Sequence, residues 1–302
     1  MKLIRHVLIL IVLLTSFLIS QPKVVSLEEL PLGMNQPWQN ARFSPSGNAL
    51  YYTAAGFRGI WKYSLQDNTV EQITDEPGAG YGFSVSADES KITYKTTRTL
   101  ASRRREYTIV LQDLNTRSVS VVDSGKRLSA PTFAGQGIRY TKGARSEQYR
   151  LEMTESNVQI LSTDDANIAL LKGSERVILD PLGTGRYIWP SLSPDRRLLV
   201  ANQMEQGTFV FDLDGNVVSR LGRRNAPAWT HDGKWIAYMD DRDDGHRILS
   251  SDIMLVSHDG KRTIALTETP DIIELFPSCS PSEKKIAFNT LDGRIFILTY
   301  TE

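Results

Sequence analysis

The feature that most restricts how this 302-residue chain can fold is a unit that recurs six times. Each copy has an apolar or aromatic residue, a small polar or Pro-containing turn, and then an Ile/Leu-x-Tyr/Phe-type strand. The copies begin with Phe43-Ser44-Pro45-Ser46-Gly47 leading to Leu50-Tyr51-Tyr52, and Val85-Ser86-Ala87-Asp88 leading to Ile92-Thr93-Tyr94. A shortened third runs from Phe133-Ala134-Gly135 to Ile138-Arg139-Tyr140. The last three are Leu192-Ser193-Pro194-Asp195 to Leu198-Leu199-Val200, Trp229-Thr230-His231-Asp232-Gly233 to Ile236-Ala237-Tyr238, and Cys279-Ser280-Pro281-Ser282 to Ile286-Ala287-Phe288.

A self-similar, strand-rich unit of roughly 40 to 50 residues is how a propeller blade reads in sequence. The expected fold is therefore all-β: a six-bladed β-propeller of four-stranded antiparallel blades, filling residues 21–302 as a single domain. Blades are predicted at about 41–75, 82–123, 130–182, 189–221, 227–267 and 277–302. Asp214-Gly215, Asp259-Gly260 and Asp292-Gly293 mark hairpins, since both central residues of such a turn favour positive φ. The last blade runs out of chain before its outermost strand, and residues 23–30 are predicted to pair there and close the ring. Blade three has a poorly patterned middle around 147–157, which reads as a long excursion between strands.

Residues 1–20 carry Lys2 and Arg5, an apolar run from Val7 to Leu14, and then Thr15-Ser16. That is a secretory signal pattern, with an apolar stretch too short to span a bilayer comfortably. Cleavage before Gln21 is expected. Leu18 stands where a small residue is preferred, so an uncleaved N-terminal anchor is the alternative. A periplasmic or secreted, monomeric protein without stable membrane insertion follows. Lys plus Arg balances Asp plus Glu at 35 each, which gives no overall field to draw nucleic acid. Cys279 is the only cysteine, so no intramolecular disulfide can form, and its place in a blade motif assigns it to packing.

Three stretches carry candidate chemistry. Asp240, Asp241, Asp243 and Asp244 crowd four carboxylates into five positions, an oxygen-rich run suited to a hard cation such as Ca²⁺. The EF-hand pattern fails, because Arg242 and Ser251 fall on ligand positions, and a solvated acidic loop is the simpler reading. His246 beside it is a candidate pH-sensitive contact, whereas His231 and His258 read as ordinary turn residues. Arg103, Arg104 and Arg105 form the sharpest basic cluster, either a solvated hairpin or a contact for an acidic partner. Tyr187 and Trp189, at the start of blade four, are candidates to line the central funnel. No G-x-S-x-G elbow or P-loop occurs.

The turn motifs resemble the repeats of the TolB-like six-bladed propeller family, related to WD-type propellers, over about residues 24–302. Propellers of that kind serve as scaffolds, lids and enzymes alike, so the resemblance implies fold more than activity. For a role with Tol partners it also implies an N-terminal α/β domain, which this chain is expected to lack. The expected function is an exported, non-catalytic propeller that binds a protein or peptide of the cell envelope. The alternative is a metal-dependent carbohydrate lyase or hydrolase with its site in the funnel.

Overall fold

The computed structural model describes residues 21–33, 36–134, 137–143, 145–151, 158–160, 167–173 and 175–302. The predicted leader, residues 1–20, lies outside the described residues, as does most of the segment 147–157 that was expected to form an excursion. Among the described residues no helix is long and apolar enough to cross a membrane.

The strands assemble into seven antiparallel sheets, one more than the repeat count predicts. Blade one is β2 (Trp38–Phe43), β3 (Ala49–Ala54), β4 (Arg58–Ser64) and β5 (Val70–Thr74), and blade two is β6 (Ser84–Val85), β7 (Lys91–Thr99), β8 (Arg105–Asp113) and β9 (Val119–Gly125). The span expected as a single third blade divides in two. β10 (Thr132–Phe133), β11 (Gly137–Lys142) and β12 (Arg145–Arg150) make blade three, while β13 (Val158–Ile160), β14 (Ile168–Lys172) and β15 (Glu175–Leu179) make blade four. Blade five is β16 (Tyr187–Leu192), β17 (Leu198–Gln203), β18 (Gly207–Asp212) and β19 (Val217–Gly222). Blade six is β20 (Asn225–Trp229), β21 (Trp235–Asp243), β22 (Ile248–Ser257) and β23 (Thr263–Ala265). Blade seven combines β24 (Glu274–Cys279), β25 (Lys285–Thr290) and β26 (Ile295–Thr301) with the N-terminal β1 (Lys23–Glu29).

That last pairing is the predicted closure. β1 runs antiparallel to β26, with Lys23 opposite Thr301 and Glu29 opposite Phe296, and Leu30 N donates to Ile295 O at 2.8 Å. The two ends of the described chain thus share one sheet, and blade seven gains its fourth strand, whereas blades three and four have three strands each among the described residues.

The missing copy is present in the sequence. Leu161-Ser162-Thr163-Asp164 leads to Ile168-Ala169-Leu170, with six residues from Ser162 to Ile168, the same interval as from Thr230 to Ile236. A polar surrounding and a degenerate flank obscure it. The structure exposes the equivalence through burial: Leu50, Ile92, Ile138, Ile168, Leu199, Ile236 and Ile286, one on each second strand, are all 0% exposed. Seven apolar seams, one between each successive pair of blades, carry the core. Trp38, Tyr52 and Ile295 join blades seven and one, and Ile168, Leu199 and Phe211 join four and five. Among the described residues the seam between three and four is built on Ala134, Ala169 and Leu171.

The repeated turn is held by a side-chain clamp. Ser193 Oγ donates to Asp195 Oδ1 at 2.6 Å and accepts from Leu198 N at 3.0 Å, while Arg197 N donates to the same carboxylate oxygen at 3.1 Å. Ser86 with Asp88, and Thr230 with Asp232, repeat it. The residue between hydroxyl and acid makes none of these bonds. That is why Pro194, Ala87 and His231 are interchangeable there, and why the Ser/Thr and Asp recur.

Candidate functional site

The innermost strands meet around a central channel. Its upper cavity is about 790 Å³ and takes lining residues from every blade, among them Asn40, Phe83, Thr132, Ile160, Trp189, Ala226 and Phe276. A lower cavity of about 330 Å³ is lined by Phe43, Tyr51, Val85 and Cys279. Arg42 and Phe83 line both, so they mark the waist of the channel.

The lining side chains reach the channel through a repeated backbone device. Asn40 (φ 57), Trp189 (φ 52), Ala226 (φ 48) and Phe276 (φ 55) are left-handed, and each sits where the register of its strand shifts. A bulge of this kind re-aims a side chain that regular alternation would place elsewhere. Each left-handed non-glycine residue costs roughly 1–3 kcal/mol, and such strain clusters at functional positions. Each stands four residues before its blade's turn Ser or Thr, at Ser44, Ser193, Thr230 and Ser280. In blade two that position is Gly82 (φ 70), where a Cβ would approach Ala130 Cβ at 2.6 Å, so the inner ring is too tight there for a side chain.

The upper mouth is aromatic. Trp189 and Phe276, both more than a third exposed, meet edge to face at 6.4 Å, across blade six with its small Ala226. Phe57 and Tyr81 form a second edge-to-face pair at 5.1 Å, and Leu291 adds an exposed apolar side chain. Apolar groups left in water around a concavity are the usual mark of a binding surface.

Trp189 lines the upper cavity. Tyr187 does not. It is 1% exposed, donates its hydroxyl to Asp180 Oδ1 at 3.1 Å and accepts from Leu182 N at 2.7 Å. Burial pushes its pKa up to about 12, as expected of a core strut.

The four aspartates lie on the β21–β22 hairpin and diverge. Asp241 and Asp243 share one strand face and are bridged by Arg223 Nη2 at 3.2 and 2.9 Å, and Asn225 Nδ2 donates to Asp241 at 2.6 Å. Asp240 belongs to the opposite face, because adjacent strand residues alternate. Asp244 closes the turn, accepting from His246 N and Arg247 N, each at 2.9 Å. The Arg223 hydrogen bond and backbone donors hold Asp243 below the usual carboxylate range. Among the described residues no three His, Cys, Asp or Glu side chains approach closely enough to hold an ion. His246 is exposed at the hairpin tip.

Arg103, Arg104 and Arg105 stand at the tip of the β7–β8 hairpin, all exposed, with Leu100 N donating to Arg104 O at 2.9 Å. Both hairpins connect a second strand to a third, as do the connections bearing Phe57 and Leu291. The basic hairpin of blade two, the acidic hairpin of blade six and the aromatic mouth thus share one rim of the ring. They are three blade steps apart by the shorter way round, so they flank the channel instead of touching.

Cys279 lines the lower cavity and is partly exposed. Its thiol points at Ala228 O, 3.6 Å away, and burial pushes its pKa up to about 12, leaving it an unreactive packing group.

Comparison with known proteins finds no matching family model and no matching curated protein. Solved structures do match. The β-propeller domain of Cps50 (Swd1) from Myceliophteria thermophila is 12% identical with a TM-score of 0.62, covering 93% of this chain and 100% of that one. A chain of the mitotic checkpoint complex is 10% identical with a TM-score of 0.64, covering 93% and 92%. Oligogalacturonate lyase from Vibrio parahaemolyticus is 13% identical with a TM-score of 0.50, covering 86% and 76%. At these identities the likeness is one of fold: the chain is a β-propeller, with seven blades among the described residues.

Proposed function

We propose that this chain is an exported, non-catalytic propeller of the cell envelope that binds a protein or peptide partner at the upper mouth of its central channel. One observation carries the reading. The aromatic pair Trp189 and Phe276 is held in solvent on strained bulges, above a cavity of about 790 Å³. Strain and exposed apolar surface both cost folding free energy, and a partner that covers the mouth offsets the second. The leader-like residues 1–20 support the exported setting and, with it, the envelope.

The competing metal-dependent lyase or hydrolase needs ligands that converge. The strand alternation that splits Asp240 from Asp241 and Asp243, and the arginine bridging the latter two, give it no support.

A photo-crosslinking amino acid placed at position 189, and at Val119 on an outer strand as control, tests the reading in the native envelope. A discrete protein adduct from position 189 and none from 119 is expected. Identical adduct patterns from both positions, or none from 189, would refute it.

A further inference from the structure

The channel holds a cation, Arg42, that no carboxylate of the described residues neutralises. Arg42 is the only charged residue among the described residues lining either cavity. No carboxylate of the described residues lies within ion-pairing distance of it, and its Nε donates to Asn40 Oδ1 at 3.1 Å. One face of the guanidinium lies over the Phe83 ring at 5.5 Å. Asn40 is itself fixed, with Nδ2 donating to Gly80 O at 2.9 Å and its backbone N to Asn289 Oδ1 at 3.2 Å. Arg42 is exposed to the channel, and the protein around it desolvates it enough to lower its pKa. A guanidinium held at Nε and backed by a ring keeps its two terminal nitrogens for a planar anion, the bidentate geometry at which arginine excels.

The geometry points to a carboxylate ligand: Arg42 receives the carboxylate of an acidic residue, carried by a peptide segment that enters from the aromatic rim with apolar residues on either side. This rests on the proposed binding role and names the chemistry recognised. Charge supports an acidic occupant at Arg42 inside, while the rim carries both the arginines 103–105 and the blade-six aspartates. Trp189, Phe276, Pro227 and Pro277 offer apolar faces to the residues that flank the carboxylate in such a peptide.

A random twelve-residue phage-displayed peptide library is panned against the protein, and recovered peptides are synthesised in acidic and amide (Glu→Gln, Asp→Asn) forms for calorimetry. Arg42→Gln, Arg42→Lys and Trp189→Ala are compared with the parent, each first checked by near-ultraviolet circular dichroism. Acidic peptides are expected, losing about tenfold or more in affinity both in amide form and against Arg42→Gln, with partial retention by Arg42→Lys. Recovery of peptides that depend on Trp189 but are indifferent to Arg42 and to amidation overturns this inference and leaves the binding role standing. No retained peptide overturns both. Trigalacturonate binding that depends on Arg42, with no peptide bound, overturns the choice of a peptide.

Discussion

Replacing Ile168 by Ala separates a seven-bladed ring from a six-bladed one with a long surface excursion. Ile168 is 0% exposed and packs in the seam with Leu170, Leu179, Tyr187, Leu199 and Phe211. The substitution removes about three carbons, worth about 2.4 kcal/mol at about 0.8 kcal/mol per buried carbon. The cavity left between two sheets that cannot fully close raises the expected cost to about 3–4 kcal/mol. An isoleucine in a solvated excursion would cost within about 0.5 kcal/mol on the same change. Urea unfolding followed by tryptophan fluorescence reads the difference as a shift in midpoint at constant slope. Two controls frame it: Ile236→Ala, the equivalent residue of blade six, should behave like Ile168→Ala, while Ile178→Ala, at 45% exposure, should change little. A loss at Ile168 below about 1 kcal/mol with a full loss at Ile236 would refute the fourth blade.

Two carboxylates set opposite pH dependences. Glu274 is 0% exposed, accepts from Ile253 N at 3.0 Å, Thr269 Oγ1 at 2.9 Å and Thr267 Oγ1, and burial raises its pKa. A raised carboxyl favours folding below its unfolded pKa and loses that contribution as pH rises through the folded value. Glu274→Gln should therefore gain melting temperature relative to the parent between pH 4 and pH 7, and an unchanged or falling difference would contradict this. Glu302 runs the other way. Trp235 Nε1 donates to it at 2.7 Å and Lys234 and Lys284 at 2.9 and 3.3 Å, and these bonds, outweighing burial, hold its pKa at about 2. Its contribution is complete above the unfolded carboxyl range and is lost as pH falls toward 2, so the parent should lose its advantage over Glu302→Gln across that window. Parallel melting curves for the two proteins from pH 6 to pH 2.5 would argue against it.

The turn copies made the ring readable, and one copy hid. Leu161-Ser162-Thr163-Asp164 keeps the spacing, but it lacks the Pro or Gly of other copies and the first strand before it, Val158–Ile160, is only three residues long. The position four residues before each turn hydroxyl was also a legible signal for the channel wall. It could have pointed to Asn40, Trp189, Ala226 and Phe276 together, but its meaning depends on a bulge that no alternation pattern reveals.

What the sequence determined by itself was local and repeated: strands bounded by Ser/Thr-x-Asp turns, a buried aliphatic six residues after each full turn motif, and an N-terminal strand left to close the last blade. These follow from hydrogen bonding and burial within one blade or between neighbours. Tertiary structure alone decided the site. Tyr187 and Trp189, two residues apart, belong on one face of a regular strand, yet the left-handed turn at Trp189 sends one into the core and the other to the channel mouth. The absence of a carboxylate partner for Arg42 among the described residues likewise required seven walls to meet, because whether a charge is neutralised depends on the side chains that face it across the axis.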